Sequence, residues 1–97
     1  MPVFALMGRD GPQGLDLRGK HRAAHLANLR VLVEADRVLY AGPLLDPAGS
    51  PCGSLVVFEA DSLVEARAFA ASDPYVIHGV FASHEVIETR RVFPEST

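Results

Sequence analysis

The order in which strand-like and helix-like apolar patterns follow one another limits the fold of this chain most strongly. Residues 3–7 form a short apolar run typical of a buried strand. Glycine and proline then mark a loop over residues 8–14. From about residue 17 to 35 the apolar side chains recur at helical spacing, which predicts a long amphipathic helix.

The second half of the chain returns to strand patterns. Residues 37–40 predict a strand that ends at Gly42 and Pro43, and residues 54–59 predict another. The Pro- and Gly-rich stretch 46–53 between them indicates a hairpin loop. Ser62 and Glu65 form a capping box that starts a second helix, which ends near Ser72. A last strand is predicted from about residue 81 to 89.

The resulting order is strand, helix, strand, strand, helix, strand, the split βαββαβ unit. It predicts an α+β, ferredoxin-like fold with an antiparallel sheet, in one domain spanning residues 1–97. Two helices would cover one face of the sheet. A chain of 97 residues buries only about two-thirds of the surface that its unfolded form exposes, so it is marginally stable alone. We therefore expect a second copy of the chain, in a homodimer or a higher homo-oligomer, to cover the other face.

Composition excludes several classes of function. Hydrophobic residues make up 48% and charged residues 22% of the chain, a globular balance. The formal net charge of −3 argues against a nucleic-acid partner. No apolar run approaches the roughly 20 residues that span a membrane, and the start lacks signal-peptide features. The single cysteine, Cys52, indicates a reducing, cytoplasmic location.

His25 is the first candidate for chemistry, because it falls inside the apolar arc of the long helix. One interpretation is a core histidine held by ordinary hydrogen bonds. The other is a general base or acid at a pocket, a task that its ordinary pKa of about 6.5 suits. Arg18 and Arg22 continue the same arc and would attract an anionic substrate, unless both simply reach solvent at the helix end.

His21 and His25 lie four residues apart, a spacing that zinc sites use on helices. The protease version of that motif has a glutamate after the first histidine, where this chain has Arg22. We therefore predict no metal, and no cofactor fingerprint is present. Cys52 is interpreted as an idle thiol, and His78 and His84 as surface residues.

Asp73, Pro74 and Tyr75 follow the second helix directly. Proline restricts the residue before it to extended geometry, which ends the helix and orients the Asp73 side chain. Helix termination alone would explain the motif. A carboxylate that orients an imidazole is the functional interpretation, but the sequence does not show that Asp73 reaches His25.

Five stretches together resemble the YciI-like family, also called the YCII-related domain: Arg9-Asp10-Gly11-Pro12, HRAAHL at 21–26, AGPLLD at 41–46, GSLVVFEA at 53–60 and ASDPYVIHGVF at 71–81. The resemblance implies a dimeric α+β barrel, in which the sheets of two ferredoxin-like protomers pack together. It also implies that His25 and Asp73 form a catalytic pair. Some family members resemble dehydrochlorinases that act on chlorinated hydroxyquinones.

The leading hypothesis is a homodimeric enzyme for a small anionic or phenolic substrate, working by elimination or isomerisation without a cofactor. His25 would be the general base and Asp73 would orient it. Arg22, Ser54 and Tyr75 would bind the substrate. Two alternatives are a dimer that binds a small ligand without turnover, and a cofactor-free monooxygenase.

Overall fold

The computed structural model describes residues 1–95 of the chain, and four strands and three helices lie within them. In chain order these are β1 (Val3–Asp10), α1 (Gly14–Glu34), β2 (Val38–Leu45), β3 (Pro51–Glu59), α2 (Leu63–Ser72), α3 (Pro74–Ile77) and β4 (Phe81–Thr89). The strands form one antiparallel sheet in the order β2-β3-β1-β4. This order confirms the predicted ferredoxin-like α+β fold.

Three strand boundaries differ from the sequence-based expectation, and one is the start of β3 at Pro51 instead of residue 54. β1 continues through Gly8 to Asp10, where a loop was expected, because this segment pairs with β3 on one side and β4 on the other. β2 passes through Gly42 and Pro43 instead of ending there. It lies at the edge of the sheet and pairs only with β3, so a proline without an N–H group is tolerated.

The sequence patterns also did not predict the first turn of α1 or any part of α3. α1 begins at Gly14 instead of residue 17. α3 is a single turn that follows α2 after Asp73. Ser62 caps α2 as predicted, since its hydroxyl accepts the N–H of Glu65 at 3.2 Å. The Glu65 carboxylate accepts from the N–H of Asp61, one residue before the expected donor.

The core lies between the helices and one face of the sheet. Alternate residues of β1 and β3 point toward α1 and α2, and α2 contributes small alanines that let it approach closely. The buried cluster is Phe4, Leu6, Leu29, Val56, Phe58, Ala60, Ala66 and Ala70. Each large apolar side chain buried in this way contributes about 1.5–3 kcal/mol. The intervening residues point to the opposite face, which neither helix covers and where Tyr40 and Ile87 are half exposed.

None of the helices within residues 1–95 is long and apolar enough to cross a membrane.

Candidate active site

Asp73 is placed by the junction between α2 and α3. Its backbone is extended, as expected for a residue before proline, and it ends α2. Its carboxylate Oδ1 accepts the backbone N–H of Tyr75 at 2.9 Å and so caps α3. Pro74 occupies the first position of that helix, where a missing N–H costs nothing. The Asp-Pro-Tyr segment thus ends one helix, starts another and holds a fully buried carboxylate in one orientation.

The carboxylate of Asp73 contacts the imidazole of His25. Nδ1 of His25 lies 2.7 Å from Oδ1 of Asp73, and both side chains are buried. Because a carboxylate only accepts, Nδ1 carries the proton in this contact, and the neutral ring has its lone pair on Nε2. Nε2 makes no hydrogen bond within residues 1–95, and the ring lines a pocket. This arrangement presents a basic nitrogen to whatever occupies that pocket.

Only one oxygen of the Asp73 carboxylate is used. Oδ1 accepts from both His25 and the Tyr75 backbone, whereas the buried Oδ2 has no hydrogen-bond partner among the described residues. Buried polar atoms without partners are rare and costly. Because both hydrogen bonds of the carboxylate are made by Oδ1, its orientation is determined by the Tyr75 N–H and by the imidazole of His25.

Tyr75 packs flat against His25. The two ring centroids are 3.8 Å apart and the planes differ by 2°. The Tyr75 hydroxyl donates to the backbone carbonyl of Arg18 at 3.3 Å, and Phe81 meets the Tyr75 ring edge-on. Burial raises the pKa of the Tyr75 hydroxyl, an effect that the charges of Arg18 and Arg22 partly oppose. Tyr75 therefore stays a neutral phenol near pH 7 and fixes one face of the imidazole.

Arg18 is paired inside the protein. Its Nε and Nη2 donate to the two oxygens of Asp10 at 2.6 and 2.9 Å, and Nη2 also donates to Oγ of Ser54 at 2.9 Å. The two charged side chains are almost fully buried. The alternative in which Arg18 simply reaches solvent is therefore wrong. A role for Arg18 in attracting an anionic substrate stays a prediction, since Arg18 also lines the pocket described next. Its charge is balanced by Asp10, and its hydrogen bond leaves the hydroxyl proton of Ser54 available to another acceptor.

A pocket of about 390 Å³ lies between α1 and the half of the sheet formed by β2 and β3. This volume is at the small end of ligand sites and suits a single ring. Its lining residues are Arg18, Gly19, Arg22, His25, Leu26, Leu29, Ala41, Gly42, Pro43, Pro51, Ser54, Val56 and Tyr75. Four of the five predicted site residues therefore share one pocket, and Asp73 lies behind His25. Arg22 is exposed and forms no salt bridge within residues 1–95.

His21 does not line this pocket. It stacks on His78, with ring centroids 3.9 Å apart and planes 3° from parallel. The partner of His78 was missed, because the sequence does not show that α3 lies against α1. No group of three or more potential metal ligands occurs within the described residues. Two parallel ring stacks, His21 on His78 and His25 on Tyr75, join α1 to the segment around α3.

Asp10 is the site residue that sequence reasoning missed. It was assigned to a loop, whereas it ends β1 and pairs with Arg18. A signal was present, because an arginine inside the apolar arc of a helix requires a carboxylate partner. Gly14 belongs to the same structure. A Cβ there would lie 2.5 Å from the Cβ of Asp10, so glycine allows the start of α1 to approach that side chain.

Comparisons with known proteins agree with this architecture. A family model described as the YCII-related domain matches residues 3–90. Protein YciI of Escherichia coli is 37% identical, with 94% of this chain and 99% of that protein covered. An uncharacterized protein of Haemophilus influenzae is 35% identical, with 93% of this chain and 98% of that protein covered.

Among solved structures, this chain is similar to 5-chloro-2-hydroxyhydroquinone dehydrochlorinase from Burkholderia phenoliruptrix, solved in complex with 2,5-dihydroxybenzoquinone. The TM-score is 0.82 at 30% identity, with 91% of this chain and 93% of that chain covered. A candidate antibiotic biosynthesis monooxygenase from Nitrosomonas europaea gives a TM-score of 0.55 at 11% identity, with 98% and 93% covered. The second likeness is one of fold alone.

Proposed function

The chain belongs to the YCII-related domain family, and from this premise we propose that it is an enzyme acting on a small anionic or phenolic ring by general acid–base catalysis. One observation carries the proposal. His25 is held by Asp73 at 2.7 Å through Nδ1, while the imidazole lines a pocket of single-ring size. A buried carboxylate behind an imidazole orients the ring and stabilises its protonated form, as general-base pairs require.

Each side chain then has a role that follows from its contacts. His25 accepts a proton from a ring hydroxyl at Nε2 and returns a proton to the substrate. Asp73 balances the imidazolium charge. Arg22 binds the anionic oxygen, because it is the exposed arginine of the pocket. Ser54 donates its hydroxyl proton to a second oxygen, and Tyr75 supports the imidazole from one face.

The reaction class is elimination or isomerisation, which such a site performs without an external oxidant or reductant. In a chlorinated trihydroxybenzene, a proton moves from a ring hydroxyl to the chlorinated carbon. Chloride then leaves with its bonding electron pair as a second hydroxyl proton is released, and a hydroxyquinone and HCl remain. The dehydrochlorinase similarity supports this chemistry for the class of substrate.

The proposal includes a homodimer in the cytoplasm. The face of the sheet opposite the helices carries partly exposed apolar residues, among them Met7, Leu55, Val57 and Ile87. A second copy of the same face would remove this surface from water. The free thiol of Cys52 supports a reducing location.

The test is turnover of 5-chloro-2-hydroxyhydroquinone and related halogenated hydroquinones, followed by quinone absorbance and chloride release. His25→Ala should lower kcat by at least about 100-fold, because the proton acceptor is lost. Asp73→Asn should lower kcat by about 10²- to 10⁴-fold, because the amide neither stabilises an imidazolium nor holds the ring in the required tautomer. His84→Ala is the matched control and should keep wild-type activity, since His84 is exposed on β4.

Three outcomes would contradict the proposal. Equal turnover by wild type and His25→Ala would show that His25 is not the general base. Ligand binding without turnover would indicate a binding protein. Oxygen consumption with a quinol, measured at an oxygen electrode, would indicate a monooxygenase instead of an elimination.

A further inference from the structure

Gly19 lies inside a helix, and its backbone conformation does not require glycine. It lies within α1, five residues after the helix begins. Glycine is the least favourable residue there after proline, because its backbone loses the most freedom. The left-handed glycines of the described residues are Gly49 and Gly79, so Gly19 does not need glycine for its φ angle.

Packing does not require glycine at this position either. A Cβ added at Gly19 would meet no heavy atom within 4 Å. Two other glycines show the contrast. A Cβ at Gly14 would lie 2.5 Å from the Cβ of Asp10, and a Cβ at Gly8 would lie 2.5 Å from the ring of Phe81. The fold accounts for Gly8 and Gly14, and it does not account for Gly19.

Gly19 is exposed to solvent and is also one of the residues that line the pocket containing His25. Gly19 lines it together with Arg22 and Leu26, which follow at i+3 and i+7 on the same side of α1. Six residues separate Gly19 from His25, or about 9 Å along the helix axis at 1.5 Å per residue. A ligand with its reacting end at His25 therefore passes Arg22 before it reaches Gly19. Only a substituent on the far side of the ring extends that distance.

We propose that Gly19 is a specificity-determining residue, whose missing side chain admits a short apolar substituent on the end of the ring remote from His25. This inference rests on the proposed function, since it takes His25 as the reacting end. The neighbouring Leu26 favours an apolar group, and Arg22 between them holds the acidic oxygen of the ring. The substrate class is thus a hydroxylated ring with an alkyl substituent.

The experiment compares Gly19→Ala and Gly19→Leu with the matched control Ala27→Leu, which alters an exposed position of α1 outside the pocket lining. Gly19→Ala should raise Tm by about 4 °C, because alanine is the better helix former.

Calorimetric titration then uses two probes, 2,5-dihydroxybenzoquinone and its 3-butyl derivative. Gly19→Leu should raise the Kd of the butyl probe at least about tenfold, since the leucine occupies the space of the butyl group. The Kd of the parent probe should rise less than about threefold. Ala27→Leu should bind both as wild type does.

The possible results separate this inference from the proposed function. Wild-type binding of both probes with selective loss of the butyl probe in Gly19→Leu supports it. Unchanged binding of both probes by Gly19→Leu, or equal loss of both, overturns it and leaves the proposed function standing. A Tm that falls in Gly19→Ala overturns it too, because the fold would then require the glycine. If wild type binds neither probe, the proposed substrate class fails and this inference fails with it.

Discussion

Tyr75 shows how single contacts prepare a residue for its role. Its ring stacks on His25, its hydroxyl donates to the carbonyl of Arg18, and the Phe81 ring packs against it in a T-shaped arrangement. Gly8 makes room for Phe81, because any Cβ there would overlap the phenyl ring. A glycine on β1 therefore determines where the imidazole can lie, through two aromatic rings.

The raised pKa of Tyr75 gives a prediction for alkaline pH. The unfolded chain releases the phenolic proton at about pH 10, whereas burial holds it in the folded state to higher pH. The stabilisation is therefore complete below pH 10 and is lost as the pH rises through the folded-state pKa. In urea unfolding from about pH 9 to 11, wild type should lose more stability than Tyr75→Phe.

At neutral pH, Tyr75→Phe should cost about 0.5–1.5 kcal/mol of unfolding free energy for the lost hydrogen bond to Arg18. Tyr40→Phe, at a half-exposed position, is the control and should follow the wild-type pH curve. Parallel curves for wild type and Tyr75→Phe would contradict the prediction.

At the level of secondary-structure elements, the ion pair between Asp10 and Arg18 joins β1 to α1. It is bidentate and almost fully buried, and its third hydrogen bond reaches Ser54 on β3. Charge-assisted pairs of this geometry are specific in direction. The pair fixes the N-terminal half of α1 above the sheet, and with it the position of Arg22 and His25 along the pocket.

Asp10→Asn should therefore destabilise the protein. The change leaves the buried guanidinium of Arg18 without its counter-charge, and the expected cost is about 3 kcal/mol of unfolding free energy. Asp16→Asn is the matched control, because Asp16 forms an exposed pair with Lys20 at 3.5 Å and should change stability by less than about 0.5 kcal/mol. Both are measured by chemical denaturation at pH 7. Equal unfolding free energies for the two variants would show that the buried pair contributes nothing.

For the whole molecule, the question is what covers the outward face of the sheet. Val57 lies on β3, opposite Ala5 of β1 and Tyr40 of β2, so it is near the middle of that face. A stable interface between two copies needs about 800 Å² from each. The proposed homodimer therefore predicts that a charge at Val57 separates the protomers.

The molar mass of Val57→Asp, measured by sedimentation or light scattering, should be half that of wild type. An unpaired carboxylate buried in an apolar interface costs free energy, so the dimer should dissociate. Val64→Asp is the control, since Val64 is 78% exposed in the first turn of α2, where an acid is favourable. Circular dichroism checks that both variants are folded. A monomeric wild type, or a Val57→Asp variant of unchanged mass, would rule out this interface.

The sequence alone determined the order of the four strands and the two longer helices, and therefore the fold, although it did not predict the single turn of α3. Local patterns sufficed because each is a short-range property: the strand and helix periodicities, the Ser62 cap and the proline after Asp73 depend on residues within a few positions. Where the prediction failed, the cause was pairing at a distance. The composition of residues 8–10 predicted a loop, but hydrogen-bonded pairing with β3 and β4 makes this segment part of β1.

Only the tertiary structure decided which charged and polar groups meet. His25 and Asp73 are 48 residues apart, and Arg18 and Ser54 are 36 apart, so no local pattern determines their distances. The packing of α1 over β3, and of α3 against α1, brings each pair together. The same packing pairs Arg18 with Asp10 and leaves Arg22 exposed at the pocket, although both arginines lie on the same arc of the helix. A side chain's chemistry depends on its burial and its partners, and these are properties of the folded chain.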